Sequence, residues 1–211
     1  MMKKDNFFWI GYSDLMTSLF FIMLVLFVLT IGYLTHQQKG LKIENEQLKK
    51  IIAIEKQFAP LEKDTNFIFL KDCKKFIVKE LMGVEIFDPT KVVIKPEFVN
   101  TTIASGQKIE AFLSVLQTKN PELSYLLIIE GNMANRWDNS LNKDGNWGYT
   151  TSYQRALAVY KLWLQNKIDF RKYNVEVMIC GSGFNGLCRD VKEENNKRFS
   201  IQIIPKIENR K

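Results

Sequence analysis

Histidine is almost missing from these 211 residues, His36 being the single example. With it goes the usual general base at neutral pH and the commonest metal ligand, and Cys73, Cys180 and Cys188 are too dispersed to form a metal-binding cluster. The sequence therefore predicts no metal and no cofactor. A hydrolytic cleft can be drawn only from Glu130, Asp138, Asp144 and Arg155, and no nucleophile–base pair has the spacing to work in it. Arginine-rich helices and aromatic-basic platforms are lacking too. The formal charge is +7, but lysine dominates the excess and is spread as Lys49-Lys50, Lys71, Lys74-Lys75 and Lys197-Arg198. That dispersal argues against nucleic acid as a partner and suits a surface facing anionic membrane or cell wall.

Charge is absent altogether from Leu15 to Leu34, a run of twenty residues. At 1.5 Å per residue this is about 30 Å of helix, enough to cross a hydrocarbon core. No small-x-small cleavage site succeeds the run, Gly32-Tyr33-Leu34-Thr35-His36 being a poor one, so it reads as an uncleaved anchor and not as a signal peptide. Lys3 and Lys4 before the span put the amino terminus in the cytoplasm and the chain beyond the span outside it, in the periplasm where a cell has two membranes. The expected organisation is a short cytoplasmic tail over 1–6, a transmembrane helix over 7–35, a helical linker over 36–63 and a folded domain over 64–211.

In the linker, Leu41, Leu48, Ile51, Ile52, Ile54 and Phe58 recur at helical spacing among lysines and glutamates, predicting an amphipathic helix that ends before Pro60. Such a stripe can pair with a second copy, lie on the membrane surface or pack on the folded domain. Beyond it, strand-like runs occur at 66–70, 75–79, 91–94, 125–130, 175–180 and 199–204. Two helices alternate with them: one from near Thr102, turning Ile109, Phe112, Leu113 and Leu116 inward, and one from near Thr151, turning Ala156, Val159, Tyr160 and Trp163 inward. This order predicts an α/β sandwich of two layers, a mixed sheet with helices on one face. Outside the cytoplasm Cys180 and Cys188 are placed to close a disulfide across the intervening loop, with Cys73 left free; the alternative is three reduced, partly buried thiols.

Asp14 carries the most chemistry. It comes after the aromatic-rich Phe7 to Tyr12 and directly precedes the uncharged run, with Thr17 and Ser18 three and four residues on, sharing its side of a helix. Physics leaves two readings: a flanking carboxylate at the headgroup level behind an aromatic belt, or a carboxylate inside the membrane that loads and unloads an ion.

The segment Phe8-Trp9-Ile10-Gly11-Tyr12-Ser13-Asp14-Leu15-Met16-Thr17-Ser18-Leu19 resembles the amino-terminal signature of the MotB family of motor stator subunits. The resemblance implies that Asp14 is an ion-binding carboxylate, with Thr17 and Ser18 beside it. It also implies that two copies of the chain sit within a ring of five MotA-like or ZorA-like membrane subunits, and that the cargo is a proton, or alternatively sodium. The compact flank and the run from Ser13 to Thr17 look more like ZorB, the anti-phage defence branch, than like flagellar members. Further on, Ile128-Ile129-Glu130-Gly131, Thr151 to Val159 and Asn196-Lys197-Arg198-Phe199-Ser200-Ile201 match the OmpA-like peptidoglycan-binding pattern. That resemblance implies that Arg155, Asn196 and Arg198 bind the wall peptide, Arg155 pairing with its carboxylate; the plainer alternative is that Arg155 caps a helix turn or pairs with a neighbour. One departure is conspicuous: where the pattern has His-Thr-Asp this chain has Asn132-Met133-Ala134, so its ammonium-binding aspartate is an alanine. Asp138 and Asp144, in the adjoining loop, are the candidate surrogates, with Trp137 and Trp147 nearby.

Overall fold

The computed structural model describes residues 5–88, 91–136 and 140–206. The chain forms two compact units, Met1–Ile52 and Ala53–Lys211.

In the first, one uninterrupted helix, α1 (Asp5–Glu55), carries both the apolar run and the start of the predicted linker. Gly11–Lys42 is long and apolar enough to cross a membrane, and none of it is buried against protein. Its leucines, phenylalanines and isoleucines stand exposed, Phe27 at 65% and Leu29 at 64%. Leaving such side chains in water forfeits about 1.5–3 kcal/mol each, which hydrocarbon surroundings restore. The helix continues through the polar residues after the span, so span and linker are one element. Leu41, Leu48 and Ile52 are all exposed.

The second unit is a five-stranded mixed sheet: β1 (Phe67–Leu70), β2 (Lys75–Val78), β3 (Ser124–Gly131), β4 (Val175–Gly181) and β5 (Phe199–Lys206). Its order is β1-β2-β5-β3-β4, with β3 and β4 parallel and the other neighbours antiparallel. Period-2 alternation decides which face is covered. Phe76 and Val78 of β2, Tyr125, Leu127 and Ile129 of β3, and Phe199, Ile201 and Ile203 of β5 point to one side and join a single core. Onto that side pack α3 (Pro96–Lys119), through Ile109, Leu113 and Leu116, and α4 (Asn146–Gln165), through Ala156, Val159 and Trp163. The expected two-layer sandwich is therefore what the chain builds. Trp163 donates through Nε1 to the Thr102 carbonyl at 2.6 Å, and α3 presents Gly106 to the indole, where a Cβ would meet ring atoms at 2.6 Å. The two helices approach this closely only because that position has no side chain.

Several boundaries differ from those the sequence predicts. Helix α3 begins six residues earlier than expected, at Pro96, whose fixed φ and missing N–H suit a first turn; α4 begins at Asn146 instead of near Thr151. The run at 91–94 forms no strand, only an isolated bridge between Phe87 and Ile94, because Ile94 turns into the core while Val93 stays 70% exposed. Phe58 lies outside any exposed stripe: it is buried against Phe112, ring centroids 5.5 Å apart, and with Leu61 of the short helix α2 (Ala59–Glu62) it joins the sheet domain's core.

The cysteine pairing is a correction. The disulfide joins Cys73 to Cys188, with Cα atoms 6.2 Å apart, and Cys180 is the free thiol. Cys180 lies within β4, fixed by pairing with β3, whereas Cys73 in the β1–β2 turn is brought to Cys188 by the fold. Burial, with the negative charge of Glu130 adding to it, pushes the Cys180 thiol above its ordinary value.

Candidate functional site

A cavity of about 890 Å³ opens at the end of the sheet where β3 runs out and β5 begins. The segments 131–136 and 191–199 supply two of its walls, and Glu85 to Phe87, Leu141, Trp147 and Arg155 supply the rest. Gly131 matters for position, because a Cβ there would run into the backbone of Ser152; its absence lets α4 pass close over the end of β3 and carry Arg155 to the cavity. Among the described lining residues the cations are Arg136, Arg155, Lys192, Lys197 and Arg198, against Glu85, Glu193 and Glu194. A ligand with a negative group is therefore favoured electrostatically.

Two of those cations are buried. Arg155 is 8% exposed; it donates through Nη2 to the Asp88 carbonyl at 2.9 Å and through Nε to the Lys91 carbonyl at 3.2 Å, and its guanidinium lies 5.0 Å from the Phe87 ring centroid. It thus fastens the segment before α3 while facing the cavity. Burial lowers its pKa, with Glu85 opposing. Arg198, 7% exposed, donates through Nη2 to the Cys188 carbonyl at 2.8 Å, and its Nε is buried without a partner. Burial lowers its pKa as well, opposed by Asp190. Glu85 lies below the usual carboxylate range because Lys197 hydrogen-bonds it at 2.6 Å and adds its charge.

The other residues singled out from sequence scatter. Asn196 is buried but spends both polar ends on Asp190, accepting from its N–H at 2.8 Å and donating to its carbonyl at 3.0 Å, so it braces a loop. Asp144 accepts from Asn185 at 3.0 Å on the exposed surface and does not line the cavity. Asp138 and Trp137 lie outside the described residues; Trp147 lines the cavity and is half exposed. Glu130, one of the four residues of the conceivable hydrolytic cleft, points to the sheet face opposite the helices and forms a buried ion pair with Lys75, with Ser200 donating to it at 3.3 Å.

Sequence reasoning missed Glu193. Its Oε2 accepts from the Asn135 N–H at 2.8 Å and from Arg189 Nη2 at 2.5 Å, which sets a carboxylate beside the residue after Ala134. Nothing local signals it, because it stands in an irregular segment between β4 and β5 with no motif around it. Among the described residues no group of three His, Cys, Asp or Glu side chains is placed to hold a metal ion.

In α1, Asp14 is exposed and lies inside the membrane-length stretch, with helix on both sides. Thr17 donates to the Ser13 carbonyl at 2.7 Å and Ser18 to the Leu15 carbonyl at 2.9 Å. Both protons are satisfied within the helix, and the hydroxyl oxygens keep lone pairs for an outside donor.

Fold and site together define a membrane-tethered α/β domain with a basic cavity at its sheet end. No family model matches the sequence, and no curated protein does. Among solved structures, the chain is similar to a MotB-like protein from Desulfovibrio vulgaris (14% identity, 78% of this chain and 96% of that one, TM-score 0.40). It is similar also to the periplasmic domain of Helicobacter pylori MotB (14%, 68% and 88%, TM-score 0.41) and to the peptidoglycan-associated lipoprotein of Burkholderia pseudomallei (13%, 57% and 86%, TM-score 0.34). Likenesses this distant carry no functional argument.

Proposed function

We propose that this chain is the B subunit of an ion-driven membrane motor, a protein that fixes the motor to peptidoglycan outside the cytoplasmic membrane and carries no covalent chemistry. Its amino terminus is cytoplasmic and its α/β domain periplasmic. Two copies enter a ring of five MotA-like or ZorA-like subunits, and Asp14, with Thr17 and Ser18 beside it, passes protons between partner helices. The narrower placement in the ZorB defence branch rests on the run from Ser13 to Thr17. What distinguishes this reading from a passive anchor is a carboxylate inside an apolar helix, where an ionised group is costly unless it faces protein or water.

The observation that carries wall binding is the cavity that gathers Arg155 and Arg198 beside Ala134. The wall peptide offers a carboxylate to the buried arginines and an ammonium group that Ala134 cannot serve. Asp138 remains a candidate for the missing carboxylate; Asp144, which does not line the cavity, is the weaker one. Glu193 has the stronger geometric support, because it lines the cavity and is hydrogen-bonded to the neighbour of Ala134.

The test is retention of the full-length chain, in detergent, on isolated sacculi. Native protein is expected to bind. Glu193→Gln keeps size and an acceptor for the Asn135 N–H but gives up both the charge offered to the ammonium group and the ion pair with Arg189, and is expected to bind at least about tenfold more weakly. Arg155→Ala is expected to lose more, since it also releases the Asp88 and Lys91 carbonyls. Equal retention of native, Arg155→Ala, Glu193→Gln, Asp138→Ala and Asp144→Ala proteins overturns the assignment.

A further inference from the structure

The segment between β4 and β5 lines the cavity yet contains little regular structure, only a short 3-10 turn at Glu193–Asn196. Something must hold it in place, and one connected set of bonds does so. Cys188 is tied through its sulfur to Cys73 in the turn between β1 and β2, and its carbonyl accepts from Arg198 at 2.8 Å. The next residue, Arg189, donates through Nη1 to the Met133 carbonyl at 3.0 Å and through Nη2 to Glu193 at 2.5 Å, while Glu193 accepts from the Asn135 N–H at 2.8 Å. Met133 and Asn135 belong to one cavity wall, Glu193 and Arg198 to the other. Cys188 also has φ of +58°, a left-handed conformation that is unfavourable for a residue with a Cβ and persists only where its surroundings impose it.

We propose that Arg189 is a positioning residue that clamps the two cavity walls at a fixed separation, and that the Cys73–Cys188 disulfide sets where Arg189 stands, so that ligand binding depends on the oxidised state of this pair. A planar guanidinium suits the task, because one rigid fork reaches a carbonyl on one wall and a carboxylate on the other, whereas an ammonium on a flexible stem does not span both in fixed geometry. On reduction a dithiol gives two electrons and two protons to the Cys73–Cys188 bond, leaving two thiols and an oxidised dithiol. The anchor at residue 188 is then released, and with it the register of Arg189 and Arg198.

The proposal rests on the cavity being the wall-binding site, and the experiment separates the two. The full-length chain in detergent is compared as native, dithiol-reduced, Arg189→Ala and Arg189→Lys protein, with amide hydrogen exchange read over 132–136 and 125–129 and with binding to isolated sacculi. Exchange over 132–136, which contains the Asn135 amide, is expected to rise at least tenfold in all three perturbed forms, while 125–129 inside β3 stays protected in the Arg189→Ala and Arg189→Lys proteins, whose disulfide is intact. Sacculus binding is expected to fall at least fivefold, with lysine failing to rescue. Should reduction open 125–129 as well, Arg189→Ala with its disulfide intact decides the matter. Unchanged exchange over 132–136 overturns the clamp, and so does raised exchange with undiminished binding. Raised exchange in a protein that never bound sacculi supports the clamp and refutes the wall-binding reading alone.

Discussion

Reducing the Cys73–Cys188 bond removes a cross-link between residues 115 apart in sequence. Loop-closure entropy for a loop of that length amounts to about 4.8 kcal/mol of stabilisation at 25 °C, against about 2.5 kcal/mol for the eight-residue separation of Cys180 and Cys188. The two connectivities thus predict different magnitudes as well as different variants. With a urea slope of about 2 kcal/mol per molar, reduction is expected to lower the unfolding midpoint of the sheet domain by about 2 M. Unfolding is monitored in the full-length chain, in detergent, by tryptophan fluorescence, since Trp163 is fully buried in the core and reports its loss. Cys73→Ser is expected to unfold early and to be insensitive to dithiol. Cys180→Ser is expected to keep both the native midpoint and the response to reduction. A Cys180→Ser protein that no longer responds to dithiol, or a Cys73→Ser protein that still does, refutes the pairing.

Asp14→Asn keeps the size of the side chain and removes its titration, so complexes reconstituted with the partner subunit are expected to assemble and to lose proton flux, read with a pH-sensitive dye; undiminished flux rules the carboxylate out as the relay. Lys75→Met leaves Glu130 buried and unpaired, at an expected cost of about 3–5 kcal/mol in urea unfolding, and the double change Lys75→Met with Glu130→Met is expected to recover most of it. A single-variant cost under about 1 kcal/mol shows that the pair is solvated. Asp64 is held below the usual carboxylate range chiefly by a hydrogen bond from Asn66, Glu85 by one from Lys197 and Asp169 by one from Arg171. Folded values lower than unfolded ones mean that their stabilisation is complete above the unfolded range near about 4 and disappears as pH falls through the folded values. Thermal melts are accordingly expected to be flat from pH 7 to about 5 and to drop below about 4, and a melting temperature that rises on acidification contradicts the sign.

Residues far apart in sequence mark the division between what was legible and what was not. The membrane-length helix stems from an unbroken apolar run, and β3, β4, β5 and the inward faces of α3 and α4 stem from periods of two and 3.6, because burial of one face is a local property of the pattern. The first turns of α3 and α4 escaped, since Pro96 and Gly148 interrupt the helical pattern in sequence, and it is packing that continues each helix through them. Arg155 and Arg198 were visible as residues, yet that both are buried at one cavity with Ala134 is known only from the fold. That β5 inserts between β2 and β3 is a matter of chain topology, and it brings 131–136 against 191–199. From that meeting come Glu193 beside Asn135, Arg189 across both walls and Cys188 next to Cys73. Sequence determined the elements, because their signal is periodic and short-ranged. Tertiary structure alone decided the cavity, the disulfide and the clamp, because each depends on which distant segments a folded sheet makes neighbours.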